Sequence, residues 1–158
     1  MDFHALDAKH GMVYGLDSGT SELMVSDDRQ SWDRLGQIAM ADVTISPDDP
    51  DTVIVTTEDG AQLSVDGGGE FAVLGDAPVV MLADWARPDE LDGVGPAGDV
   101  HSSVDGGQSW QEGATLGERP QAMTVAADGT VYVALEESIV VSNDGGQAFT
   151  LFYTWTAS

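Results

Sequence analysis

The sequence predicts an all-β fold made of four repeated units, each a small sheet of four antiparallel strands, and two observations carry that prediction. Asp27, Asp66, Asp105 and Asp144 stand 39 residues apart, and so do the aromatics Trp32, Phe71, Trp110 and Phe149. A fixed period of this size marks a solenoid, a propeller or an array. Within each unit, short apolar or β-branched runs alternate with Gly, Asp and Pro, and no stretch has a long helical period.

In the second unit the runs are DVTIS, TVIVTT, AQLSV and EFAVL, read as four strands of four to six residues. The fourth unit repeats the pattern as AMTVAA, TVYVAL, SIVVS and AFTLFY. Its first connection is the short Ala-Asp-Gly-Thr at 127–130, whereas the second and third units use the longer SPDDPDT and ARPDEL. Four antiparallel strands at this period form the blade of a β-propeller, whose sheets bury their faces against their neighbours. The chain is expected to form one domain over 1–158, with blades at approximately 1–38, 39–77, 78–117 and 118–158.

The turn before the last strand of each blade varies least: LSVDGGGEF, SSVDGGQSW and VSNDGGQAF, with a worn version in VSDDRQSW. An aspartate there can accept hydrogen bonds from backbone N–H groups just ahead of it, the glycines tolerate positive φ, and the aromatic returns to the core. The turn therefore reads as a self-satisfying clasp with an aromatic wedge. Cutting that wedge to alanine is expected to cost about 3–5 kcal/mol.

At these residues the chain resembles the BNR, or Asp-box, repeat family, with its Ser-x-Asp-x-Gly-x-Thr/Ser-Trp/Phe pattern. Ser103, Asp105, Gly107, Ser109 and Trp110 match throughout. Ser64, Asp66, Gly68 and Phe71 match with Glu70 at the hydroxyl position, as do Ser142, Asp144, Gly146 and Phe149 with Ala148 there. In the first box Val25 stands where serine is expected and Arg29 where glycine is expected, leaving Asp27, Ser31 and Trp32. The resemblance implies that the boxes are structural, on the outer edge of each blade between its third and fourth strands. The opening DFHALDAKHGMVYG and the later Asp-Gly-Gly blades look like the last part of bacterial extracytoplasmic, sialidase-like or glycosyl-hydrolase-like propellers. An extracytoplasmic location is the expectation this carries, although the N-terminal stretch has no signal-peptide pattern.

Propellers close with about four to eight blades. Three architectures satisfy four complete sequence blades: a closed ring, the C-terminal part of a larger ring, or half a ring completed by a second copy. The incomplete ring is favoured, and an exposed blade face at either end would demand a partner.

The chain has 158 residues, enough for a core without disulfides or metals, and contains no cysteine, which excludes thiolate zinc sites and cysteine nucleophiles. Its formal charge is −23, from 28 acidic residues against Lys9, Arg29, Arg34, Arg87 and Arg119. No basic surface is available to neutralise phosphates, so nucleic acid is not an expected partner, and no segment has the length of a membrane-inserting helix. Expected partners are the remaining blades of a larger propeller, a second copy, or a carbohydrate or protein ligand.

For chemistry, a sialidase of the resembled family grips its substrate carboxylate with three arginines, a cluster this chain cannot assemble alone. Asp48/Asp49/Asp51, Asp89/Glu90/Asp92 and Glu136/Glu137 fall mostly in turns, while Asp84 and Asp92 interrupt apolar strand patterns. His4, His10 and His101 have no HxH or HExxH spacing, so no metal site and no cofactor are expected. Met12, Met24, Met40, Met81 and Met123 read as strand packing. The starts of the inner strands, at His4, Asp42, Met81 and Gln121, would line any ligand site, with Arg119 as the cation beside it. The functional expectation is a non-catalytic binding or interaction scaffold. The alternative is part of a glycosidase-type enzyme completed by residues on other blades or on a second subunit.

Overall fold

A computed structural model describes residues 2–156. Among them there are sixteen strands and no helix, arranged as four four-stranded sheets. The first sheet comprises β1 (Phe3–Lys9), β2 (Met12–Asp17), β3 (Glu22–Ser26) and β4 (Asp33–Gln37). The second comprises β5 (Met40–Ile45), β6 (Val53–Thr57), β7 (Gly60–Ser64) and β8 (Ala72–Val73). In the third are β9 (Leu82–Arg87), β10 (Glu90–Val94), β11 (Asp99–Ser103) and β12 (Gln111–Thr115). The fourth holds β13 (Ala122–Val125), β14 (Val131–Ala134), β15 (Ser138–Ser142) and β16 (Thr150–Thr154). Every sheet pairs its strands antiparallel in chain order, so this is a β-propeller of four four-stranded blades.

Side-chain alternation explains how the sheets stack. Tyr14, Leu23 and Val25 of the first blade bury against Val43, Ile45, Val53 and Val55 of the second. Ile54 and Ala61 of the second meet Trp85 and Leu91 of the third. Val125, Val131 and Val133 of the fourth pack towards Ala86 and Leu116 of the third. Inner strand β1 lies on β5, β5 on β9 and β9 on β13. The first and fourth sheets do not share such a core: Leu6 on β1 is 52% exposed, and Ala122 and Thr124 on β13 are exposed. The four blades thus form an arc with one open seam.

Each clasp turn sits where the next strand must reverse. Buried Ser64 Oγ donates to Asp66 (2.7 Å) and accepts the Gly68 N–H (2.8 Å), while Asp66 accepts the N–H groups of Gly69 and Glu70. Ser103 and Asp105 do the same with Gly107 and Ser109, and Ser142 and Asp144 with Gly146, Gln147 and Ala148. In the third turn Trp110 Nε1 adds a bond to the Gly107 carbonyl at 3.0 Å. Gly68 (φ 91°) also brings its backbone against Leu35 and Leu23 of the preceding blade, where a Cβ would come within 2.7 Å of Leu35. The turns therefore fasten adjacent blades as well as adjacent strands.

The first turn corrects the assignment made from spacing. Asp28, not Asp27, accepts the Gln30 and Ser31 N–H groups (both 2.7 Å), and Ser26, not Val25, occupies the serine position, donating to Asp28 and accepting the Arg29 N–H. This turn is one residue shorter than the other three, so constant spacing pointed to the neighbouring aspartate. Arg29 takes the positive φ (62°) that glycine takes elsewhere. A second correction concerns β8. Of EFAVL, β8 keeps Ala72–Val73, with the Leu74 N–H still bonded to the Ala61 carbonyl at 2.9 Å, because Glu70 is held in the clasp and Phe71 turns inward against the core between the first two blades.

Two expectations follow for stability. Asp28→Ala should lower the melting temperature while Asp27→Ala leaves it unchanged, as read by differential scanning calorimetry. Ser103→Ala, which orphans the buried Gly107 N–H, should cost about 1–3 kcal/mol in urea denaturation.

Candidate functional site

Antiparallel succession places the first and third connections of every blade at one end of the strands and the second connection and inter-blade loop at the other. The clasps occupy the first end, where the Gly67 N–H bonds the Asp51 carbonyl (2.8 Å) and the Gly106 N–H bonds that of Asp89 (2.9 Å). Two constellations remain as candidates for function: the polar inner strands and a cleft at the opposite end.

Along the inner strands, side chains of one blade capture N–H groups of the next. Asp7 Oδ2 accepts the Ile45 N–H (2.8 Å) and pairs with Lys9 Nζ (2.8 Å). Asp42 accepts the Ala83 N–H (3.0 Å), Thr44 Oγ1 the Trp85 N–H (3.0 Å), and Asp84 the Val125 N–H (2.8 Å). Burial pushes the Asp42 carboxyl up to about 6, partly offset by the N–H groups of Ala83 and Val43, with Asp7 and Asp84 adding repulsion. Asp92, opposite Asp84 on β10, is also pushed up to about 6 by burial, against the pull of Arg87. Asp84 is raised for the same dominant reason.

The cleft, of about 650 Å³, opens between the β12–β13 loop and the β14–β15 turn and is lined by Glu118, Arg119, Gln121, Glu136 and Trp155. Arg119 and Gln121 are exposed, and Trp155 stacks at 6.2 Å on Tyr153. This places one cation, one amide and one indole face against two carboxylates, which suits a segment carrying both positive charge and apolar surface.

The five residues expected to share a ligand site do not share one. Arg119 and Gln121 line the cleft, but His4, Asp42 and Met81 are absent from its wall. His4 is exposed beside Asp2 (3.6 Å), Asp42 is committed to the seam between the second and third blades, and the Met81 carbonyl accepts the Thr56 hydroxyl at 2.9 Å. The open arc explains the dispersal, since His4 and Gln121 begin strands in its two terminal blades. Sequence reasoning missed Asp7 as part of these constellations. Asp7 leaves a signal in the alternation of β1, where a carboxylate occupies an inward position.

His10 Nε2 lies 2.8 Å from the Ser46 carbonyl oxygen, and His101 Nε2 lies 3.1 Å from Asp99. Among the described residues no group of three or more His, Cys, Asp or Glu could hold a metal ion. Arg34 pairs with Glu22 (2.9 Å) and Arg87 with Glu90, so Arg119 has no arginine beside it to form a cluster.

No family model matches the chain, and no curated protein matches it. Solved structures do. A propeller in a nidogen/laminin complex aligns with a TM-score of 0.78 at 14% identity, covering 94% of this chain and 64% of that one. An ancestral GH74 enzyme aligns at 0.74 and 16% identity (93% and 23%), and YCF48 bound to D1 peptide at 0.72 and 13% identity (94% and 53%). The chain thus spans less than two thirds of each of these neighbours, which include enzymes and binding proteins alike. At these identities the likeness establishes the fold.

The raised carboxyls fix the sign of the pH dependence. A carboxyl whose folded pKa exceeds its unfolded value binds its proton more tightly in the native state, so its stabilisation is complete below about 4 and is lost as pH rises through 6. Clasp carboxylates such as Asp28, held down to about 2 by backbone N–H groups, act oppositely and lose stability only below about 4. Stability should therefore peak near pH 4–5. Asp92→Asn should flatten the decline between about pH 4 and 7, removing about 2 kcal/mol of it in denaturant titrations at each pH.

Proposed function

We propose that the chain is a non-catalytic propeller scaffold of the BNR/Asp-box kind, which binds a protein or peptide segment at the Arg119–Trp155 cleft. The observation that carries this reading is the commitment of the inner-strand carboxylates. Asp7, Asp42 and Asp84, the groups best placed for acid–base work, each accept a backbone N–H of the neighbouring blade. A catalytic carboxylate pair needs oxygens aimed at substrate across a gap of about 5–9 Å. Asp92, with its raised carboxyl, is only 8% exposed within its blade. The cleft, by contrast, has an accessible indole, a cation and carboxylates in one wall, the mixture used for amphipathic peptide recognition. Propellers of this fold bound to D1 peptide and in complex with laminin support a peptide or protein ligand over a sugar.

The GH74 neighbours favour the second reading, a glycosidase-type unit whose other catalytic residues lie on further blades or a second subunit. One pair of measurements separates the two. The protein is expected to show no turnover of a panel of fluorogenic glycosides, sialosides included, and to retain Lys- and Tyr-containing peptides from a synthetic array. Trp155→Ala should weaken that retention about tenfold, while Arg34→Ala should leave it intact. Turnover that survives purification to constant specific activity would overturn the scaffold reading.

A further inference from the structure

The three seams between neighbouring blades have a common construction, and the two end faces of the arc carry its two halves. On the earlier blade of a seam, a polar side chain of the inner strand receives an N–H from the later blade. Thr44 Oγ1 lies 3.3 Å from Asp7 Oδ2 and accepts the Trp85 N–H at 3.0 Å. Thr124 repeats the first half of this arrangement, with Oγ1 3.5 Å from Asp84 Oδ2, but no N–H of the described residues reaches it, and its side chain is exposed. Ala122, Thr124, Tyr132, Ala134 and Ile139 line an apolar groove of about 170 Å³ on this face. Phe152, 60% exposed, sets its ring edge-on to Tyr132 at 5.5 Å. None of these side chains is charged, in a chain of formal charge −23.

On the later blade of a seam, the clasp aromatic wedges inward. Phe71, Trp110 and Phe149 pack in the first, second and third seams respectively. In the third blade, the residue entering the inner strand also folds over a glycine of the second strand. There Val80, 1% exposed, lies where a Gly93 Cβ would meet it at 2.9 Å. The first blade has both devices: Trp32 is its clasp aromatic, and Phe3 covers Gly15 at 2.6 Å from a notional Cβ and meets Trp32 at 4.5 Å between ring centroids. It has the later half of a seam that no other blade among the described residues fills, and Leu6 stands exposed there.

We infer that a second copy of this chain supplies the missing neighbour, the fourth blade of each copy seating the first blade of the other to close an eight-blade ring. Two copies bring the count to eight, the upper end of the usual range of about four to eight, and three would exceed it. A head-to-tail contact that failed to close would run on as a filament. The absence of charge on the fourth-blade face allows two strongly acidic chains to meet there. Long-range repulsion between them is screened by salt, so association strengthens as ionic strength rises. This inference is independent of what the cleft binds, since the assembly is measured with no ligand present.

Light scattering on the eluting protein at about 50 µM tests it, in low salt and in about 1 M NaCl. The expected mass is that of two chains, with the dimer fraction increasing in salt. Leu6→Asp on the first-blade face and Ala122→Asp on the fourth-blade face, both at exposed positions, should each yield monomer with unchanged circular dichroism. Mixing the two variants should restore a dimer, because one intact seam can then form between them. A wild-type monomer in both salts overturns the inference. So does a dimer indifferent to Leu6→Asp, which would mean two fourth blades packed face to face, and so does a ladder of higher oligomers, which would mean that the ring does not close.

Discussion

Neighbouring blades share no strand-to-strand ladder, and the molecule depends on how the N–H groups facing that gap are satisfied. A buried unpaired N–H costs about as much as a lost hydrogen bond, and water is excluded between packed blades. Asp7, Asp42, Thr44 and Asp84 reach across the gap and accept the N–H groups of Ile45, Ala83, Trp85 and Val125. These contacts fix the relative height of successive blades, which apolar packing alone leaves free to slide. They also crowd carboxylates along the inner strands, with Lys9 as a nearby counter-charge to Asp7 and Asp84. The raised Asp42 and Asp84 carboxyls are the electrostatic cost of a mechanical solution.

The clasps answer the same constraint at the outer edge. A turn between the third and fourth strands exposes several donors at once, and one carboxylate with one buried hydroxyl satisfies them locally. This explains why the motif recurs as a fastener: in the second, third and fourth turns one carboxylate oxygen already accepts the turn's donors, and the glycines press on the preceding blade. A Cβ on Gly146 would come within 2.7 Å of Val100, just as one on Gly68 would meet Leu35. Period, turn chemistry and blade packing are thus three expressions of one arrangement.

The blade architecture was legible because its causes are local. Strand alternation and the Ser-x-Asp-Gly-Gly turns each act within a dozen residues, and they repeat. What was not legible depends on single-residue offsets and on contacts between repeats. The shortened first turn moved the clasp from Asp27 to Asp28 without disturbing the position of Trp32, so spacing alone could not detect it. Asp42 was recognised as an inner-strand residue, but its role followed only from its distance to Ala83, 41 positions along the chain. Arg119 and Gln121 do face a common cleft, yet His4 and Met81 do not join them, because the starts of the inner strands are shared among blades of an arc rather than gathered round a closed channel. Trp155 follows the last strand, outside the repeat, where periodicity carries no information.

The two ends of the strands therefore have different freedom. At the clasp end, each turn satisfies its own donors, and those of the second, third and fourth blades press on the preceding blade, so a change in length or residue type disturbs a fastener as well as a surface. At the opposite end, the connections that form the Arg119–Trp155 cleft carry no such duty. Glu118 and Arg119 are exposed, and Pro120 is the buried residue that anchors their loop before β13. A loop held at its base and free at its tip can change its side chains without altering the seam beneath it. Recognition can therefore be varied at that end while the repeat stays intact, which is how one scaffold can serve enzymes and binding proteins alike. The same reasoning separates the cleft from the open seam: the cleft is built from loops anchored only at their bases, whereas the open seam is built from strands whose counterparts in the other three seams pack against a neighbouring blade.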